Sequence, residues 1–175
     1  MKQKALFLIG TTVALAAFSI SSTFKTPEEF SQGTIQIGVV VEDLDTSLKF
    51  YKEVLGLTET GGFNVTSEVS KSTGLTNGIP LNVKVLKLKD EPDATEWKLM
   101  SFGKKARHKQ QKFIDDDTGM QYITMLVTSI KPFVERLNAN NIAMLGETPV
   151  KLPDGRMFIL VQDPDGIFIE IIGGE

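Results

Sequence analysis

The sequence predicts an α+β domain: two βαβββ modules whose strands form a curled mixed sheet around a cleft. Three observations carry this. Short β-branched, apolar runs are separated by Gly-, Pro- and Asp-rich turns. Two amphipathic helical stripes each follow a first strand. The order strand, helix, further strands then occurs twice, over residues 34–102 and 119–173, although residue identities barely repeat.

The first module opens on Thr34-Ile35-Gln36-Ile37-Gly38-Val39-Val40-Val41, a buried strand by composition. Glu42-Asp43-Leu44-Asp45 supplies acidic caps for a helix starting near Thr46. Leu44, Leu48, Tyr51 and Leu55 recur at helical spacing, which makes Tyr51 a core residue rather than a site residue. Gly56 ends the helix, because only glycine enters the left-handed region there without strain. Residues 57–63 read as the next strand, followed by a polar loop through Gly74, Asn77 and Gly78. Strands over residues 81–88 and 96–102 complete the module, with Trp97 packing on the helices.

Residues 103–118 form a linker, basic at Lys104, Lys105, Arg107, Lys109 and Lys112 and then acidic at Asp115, Asp116 and Asp117. Such a tract reads as a solvated connection. The second module begins with a strand over 120–127 and a helix with Ser129 as N-cap. Its stripe is Ile130, Phe133, Val134 and Leu137, and Asn140-Asn141 closes it in the left-handed conformation. Strands are expected at 143–145, 150–152, 157–162 and 167–172. Pro153-Asp154-Gly155 and Asp163-Pro164-Asp165-Gly166 form turns between them, with Arg156 serving as a turn contact.

Composition removes several chemistries. The chain has 175 residues, no cysteine and one histidine, His108, so thiolate sites, disulfides and sites needing two imidazoles are excluded. A formal charge of −3 disfavours a nucleic-acid partner. The N-terminus has a basic start at Lys2 and Lys4, an uncharged apolar run over residues 5–20 and small residues at Ser21 and Ser22. That is the layout of a signal peptide over residues 1–21, and it places the mature protein in a secreted or periplasmic compartment with no stable membrane insertion. Loss of Lys2 and Lys4 leaves 17 basic against 22 acidic residues.

The run Gly38-Val39-Val40-Val41-Glu42-Asp43-Leu44-Asp45-Thr46-Ser47-Leu48-Lys49-Phe50-Tyr51-Lys52-Glu53-Val54-Leu55-Gly56-Leu57 resembles the opening strand and helix of the vicinal-oxygen-chelate superfamily. That superfamily includes glyoxalases, bleomycin-resistance proteins and dioxygenases. Thr73-Gly74-Leu75 is similar to the middle of its first module, and Asp163-Pro164-Asp165-Gly166 with Ile167-Phe168-Ile169-Glu170 to its closing turn and strand. The resemblance covers residues 34–172. It implies a glyoxalase-like fold and, in metal-dependent members, four ligands from four strands, typically His or Gln, Glu, His and Glu.

Carried over, those positions fall on Gln36, Lys98, Tyr122 and Glu170. Gln36 and Glu170 suit a metal. Lys98 has no lone pair to offer, and a neutral Tyr122 is a poor ligand. The expectation is a cleft without a cofactor, in which Lys98 stands in for the cation and pairs with Glu170. If there is chemistry, Glu170 is the proton-transfer base. A divalent metal survives only as an alternative in which Glu96, two residues away on the same face, replaces Lys98.

Three functions follow from the resemblance. The first is an exported, metal-independent protein that binds a small organic molecule in the inter-module cleft and forms homodimers. The second is a glyoxalase-, lyase- or dioxygenase-type enzyme, which needs the metal. The third is a structural or interaction module with a degenerate cleft.

Overall fold

The computed structural model describes residues 29–105 and 110–175. The expected signal segment, and Arg107, His108 and Lys109 of the linker, lie outside the described residues. The strands form two four-stranded mixed sheets. In the first, β1 (Ile37–Val41) lies parallel to β4 (Glu96–Ser101), which pairs antiparallel with β3 (Leu81–Lys87), and β3 with β2 (Thr58–Val65). The second repeats this order: β5 (Tyr122–Ser129) parallel to β8 (Phe168–Gly174), then β7 (Met157–Gln162) and the two-residue β6 (Val150–Lys151). This is the expected pair of βαβββ modules.

Local chemistry explains the elements. Asp43 caps the first helix, α1 (Leu44–Lys49), by accepting the Thr46 backbone N–H at 2.7 Å. That bond holds its carboxyl below the usual range. The helix continues as a wider π-turn over Phe50–Val54, with the Leu55 N–H reaching back to the Phe50 carbonyl. The widening turns Phe50, Tyr51, Val54 and Leu55 all inward. Gly56 then sits at φ +82°, as the sequence requires.

Two expectations change. Residues 67–72, read as loop, form a short helix α2 (Ser67–Ser72) capped by Thr66. Its sequence is polar and has no apolar period, so packing cannot announce it. It is held instead by the buried Ser70 hydroxyl, which bonds the Ile79 carbonyl at 2.8 Å and Thr76. Residues 143–145, expected as a strand, make a single ladder-type bond, from the Leu145 N–H to the Leu160 carbonyl. Gly146, at φ +62°, turns the chain away before a ladder can grow. The second module's helix is α3 (Lys131–Ala139); its N-cap is Ile130 and not the expected Ser129, which ends the preceding strand while its hydroxyl accepts the Lys131 N–H.

Both modules share one core within the unit Gln32–Glu175. Val39, Val41, Trp97 and Leu99 of the first sheet meet Ile159, Val161, Ile169 and Ile171 of the second, with Tyr51, Leu55 and Leu137 from the helices. Three polar contacts lock this junction. The buried Tyr51 hydroxyl donates to Asp163 Oδ2 at 2.7 Å. Asp165 accepts the Glu42 N–H at 2.8 Å and faces the Ser47 hydroxyl. Arg136 of α3 donates through Nε to the Val54 carbonyl at 2.7 Å, at the end of the π-turn.

Removing the Tyr51 hydroxyl leaves a buried carboxylate short of a donor. Tyr51→Phe should therefore lose about 1–3 kcal/mol of stability, read as a lower urea midpoint at unchanged slope. A loss within error would mean that the contact contributes nothing at the junction.

Burial holds the Asp163 carboxyl above the usual range, against the lowering pull of the Tyr51 hydroxyl and the Ile167 N–H. A raised folded value means that the folded state holds the proton better than the unfolded chain. The contribution is full below the unfolded value of about 4 and is lost as pH rises through the folded value. The stability difference between wild type and Asp163→Asn should shift against the wild type as pH rises from about 4 towards neutrality. Urea titrations across that range check the sign, and a shift in the wild type's favour would contradict it.

Candidate functional site

Strand alternation divides the anticipated residues. Trp97 and Leu99 of β4 face the common core, so Glu96 and Lys98 face the opposite side of that sheet. Ile169 and Ile171 of β8 do the same in the second sheet, which puts Glu170 on its outer side beside Thr124 of β5, its register partner. On the first sheet Lys98 Nζ donates to Gln36 Oε1 at 2.5 Å, pairs with Glu96 at 3.4 Å and lies 5.5 Å above the Phe63 ring. On the second, Glu170 accepts the Thr124 hydroxyl at 2.6 Å.

The structure therefore brings Gln36 and Lys98 together, but not Lys98 and Glu170. The carboxylate beside Lys98 is that of Glu96. Among the described residues no hydrogen bond or ion pair joins Lys98 to Glu170. The Lys98–Glu96 pair is part-exposed, and pairs of that kind are worth about 0–1 kcal/mol, so it orders the face rather than holding the fold.

The divalent cation implied by the resemblance does not fit this arrangement. An ammonium group sits between the two oxygen donors of the first sheet, and it offers no lone pair. Glu96 shares the face as strand alternation requires, yet its carboxylate is also near Lys87, at 3.8 Å.

Tyr122, two residues before Thr124 on β5, shares the outer side of the second sheet with Glu170 and reaches past the sheet edge. It lines a cavity of about 370 Å³ between the modules, with Ile37 and Trp97 on one side and Ile123, Thr124 and Met125 on the other. The wall is almost wholly apolar. Trp97 is buried against Tyr51, ring centroids 5.5 Å apart. Its Nε1 is buried and has no hydrogen-bond partner among the described residues. Burial and the Asp163 charge push the Tyr51 hydroxyl far up, so it is a fixed donor and not an acid.

A second cavity, of about 540 Å³, adjoins the first along β5, sharing Leu88, Thr95 and Met125 and ending at Phe133 and Arg136. Sequence reading placed neither cavity. Arg136 carried the one usable signal, since it lies three residues after Phe133, beside the apolar stripe of α3. Arg156, expected as a turn contact, pairs with Asp154 inside its own turn at 2.7 Å.

No curated protein matches the chain. Among solved structures, a glyoxalase family protein from Bacillus cereus is similar over 84% of this chain and 96% of its own, at 19% identity and a TM-score of 0.67. A glyoxalase/dioxygenase from Nostoc punctiforme is similar over 95% and 99%, at 19% identity and a TM-score of 0.58. The trypanothione-dependent glyoxalase I of Leishmania major is similar over 79% and 84%, at 21% identity and 0.53. At these identities the likeness is one of fold. The family model of the Glyoxalase/Bleomycin resistance protein/Dioxygenase superfamily matches residues 33–171, which with the paired βαβββ sheets makes the chain a member of that superfamily.

Proposed function

We propose that this is a metal-independent binding protein that captures a small, largely apolar organic molecule between its two modules. The observation that carries this reading is the cavity of about 370 Å³ walled by Ile37, Trp97, Ile123 and Met125. It lies in the size range of small-molecule sites, which are concave, mostly apolar and sparing in polar groups. Tyr122 is the polar group at its edge at hand to orient a ligand. Binding here calls on no metal, in keeping with the ammonium group among the donors of the first sheet. On the same reading the protein works outside the cytoplasm, after loss of its first 21 residues.

Trp97 is the only tryptophan and lines this cavity, so its emission serves as a probe of binding there. Titration with toluene, phenol and 1-octanol, in the presence of a chelator, should give a saturable change in emission with a raised Tm for at least one probe. Ile37→Trp, which fills the cavity from a partly exposed position, should abolish the calorimetric binding heat while leaving the protein folded. No binding by any probe, or full binding by the filled variant, would overturn the reading.

The protein also works as a homodimer in this proposal. The outer sheet faces expose Val40, Phe63, Tyr122 and Leu126, the last at 72%, a load of apolar surface that calls for cover. Two copies can bury this apolar surface by packing these faces together. Light scattering at tens of micromolar should give twice the chain mass, and Leu126→Asp should halve it. A strict monomer in the wild type contradicts the dimer.

A further inference from the structure

We infer that the ligand of the inter-module cavity is an amphiphilic carboxylate, with its apolar part beside Trp97 and its anionic head at Arg136. The inference rests on the proposed binding role of that cavity and names the class of molecule. Leu88, Thr95 and Met125 wall both cavities, so a molecule seated against Trp97 has an apolar path along β5 into the second space. That path ends at cationic groups. Arg136 and Lys89 both line the second cavity, together with Glu91 and the hydroxyl-bearing Thr128.

Arg136 is positioned before any ligand arrives. Its Nε is tied to the Val54 carbonyl at 2.7 Å and one terminal nitrogen, Nη2, reaches the Leu55 carbonyl at 3.5 Å. The guanidinium lies 4.5 Å from the Phe133 ring centroid, stacked on an apolar floor. Among the described residues the other terminal nitrogen, Nη1, has no hydrogen-bond partner, so it keeps two donors for an incoming acceptor. A guanidinium fixed in this way loses little freedom on binding an oxyanion, which is what arginine offers over lysine.

The one carboxylate at the cavity, Glu91, is engaged by Lys89 at 3.7 Å in an exposed pair. Such a pair is weak and yields easily, so Lys89 can turn to the ligand and leave Glu91 in solvent. The cationic end therefore carries a net positive charge, and the apolar end none. A neutral apolar molecule would fill the first cavity and leave the Arg136 donors to water.

Octanoate and 1-octanol separate the possibilities, because they share a tail and differ in the head. Followed by Trp97 emission near neutral pH, octanoate should bind about tenfold more tightly than octanol, the discrimination expected of a charge-assisted hydrogen bond. Its advantage should vanish in Arg136→Gln, read as the ratio of the two probes' affinities within the same variant. Since Arg136 also ties the modules together, Arg136→Lys and Lys89→Gln serve as folded controls, each lowering octanoate affinity and sparing octanol. Equal affinity of the two probes for the wild type would overturn the inference and leave the binding site intact. Failure of both probes to perturb Trp97, with failure of the wider set of apolar probes, would remove the binding reading itself.

Discussion

The hydrogen bond from Tyr51 to Asp163 is the constraint on which the rest of the domain depends. Both groups are buried, and each would be costly alone. A carboxylate removed from water needs donors, and Asp163 finds them in the Tyr51 hydroxyl and in the Asp165 and Ile167 backbone N–H groups. Tyr51 comes from the first module and Asp163 from the second. The arrangement therefore works only when the two modules stand in one relative position. Hydrophobic burial supplies the bulk of the stability but has no direction. This polar contact supplies the direction.

The same junction decides where the open space is. The π-turn brings Tyr51 inward, Tyr51 supports Trp97, and Trp97 forms a wall of the cavity. Arg136 ties α3 to the end of that turn and, in doing so, sets the far limit of the adjoining space. The residues that lock the modules and the residues that line the candidate site are thus neighbours or the same residues. A change that loosens the lock moves the walls as well.

How far the sequence reveals this depends on how local each signal is. The two modules, the capped first helix and the Asp163-to-Gly166 turn were legible because period, caps and turn residues act over a few positions. The α2 helix was not, since its stabilising bonds reach from Ser70 to Ile79 and it carries no apolar stripe. Alternation correctly put Glu96 and Lys98 on one face. It could not say whether that face meets the face of Glu170, because this depends on how two sheets pack through their helices. The cavities failed for the same reason. Met125, Leu88 and Arg136 are ordinary residues in their own segments, and only the packing of the modules makes them walls of a common space.

The position of Lys98 illustrates how a fold outlasts one chemistry. The backbone still presents a side chain from β4 between Gln36 and the sheet face, because the strand register is set by Trp97 and Leu99 packing behind it. Nothing in that packing specifies what the outward residue must be. An ammonium group there satisfies Gln36 and Glu96 with bonds of its own, so the face is already neutralised without a cation. Meanwhile the apolar volume between the modules is walled chiefly by core-facing residues such as Ile37, Trp97, Ile123 and Met125. A face closed to a metal and a cavity open to an apolar molecule are therefore largely independent properties of the same two sheets, one written in the even positions of β4 and the other in the odd.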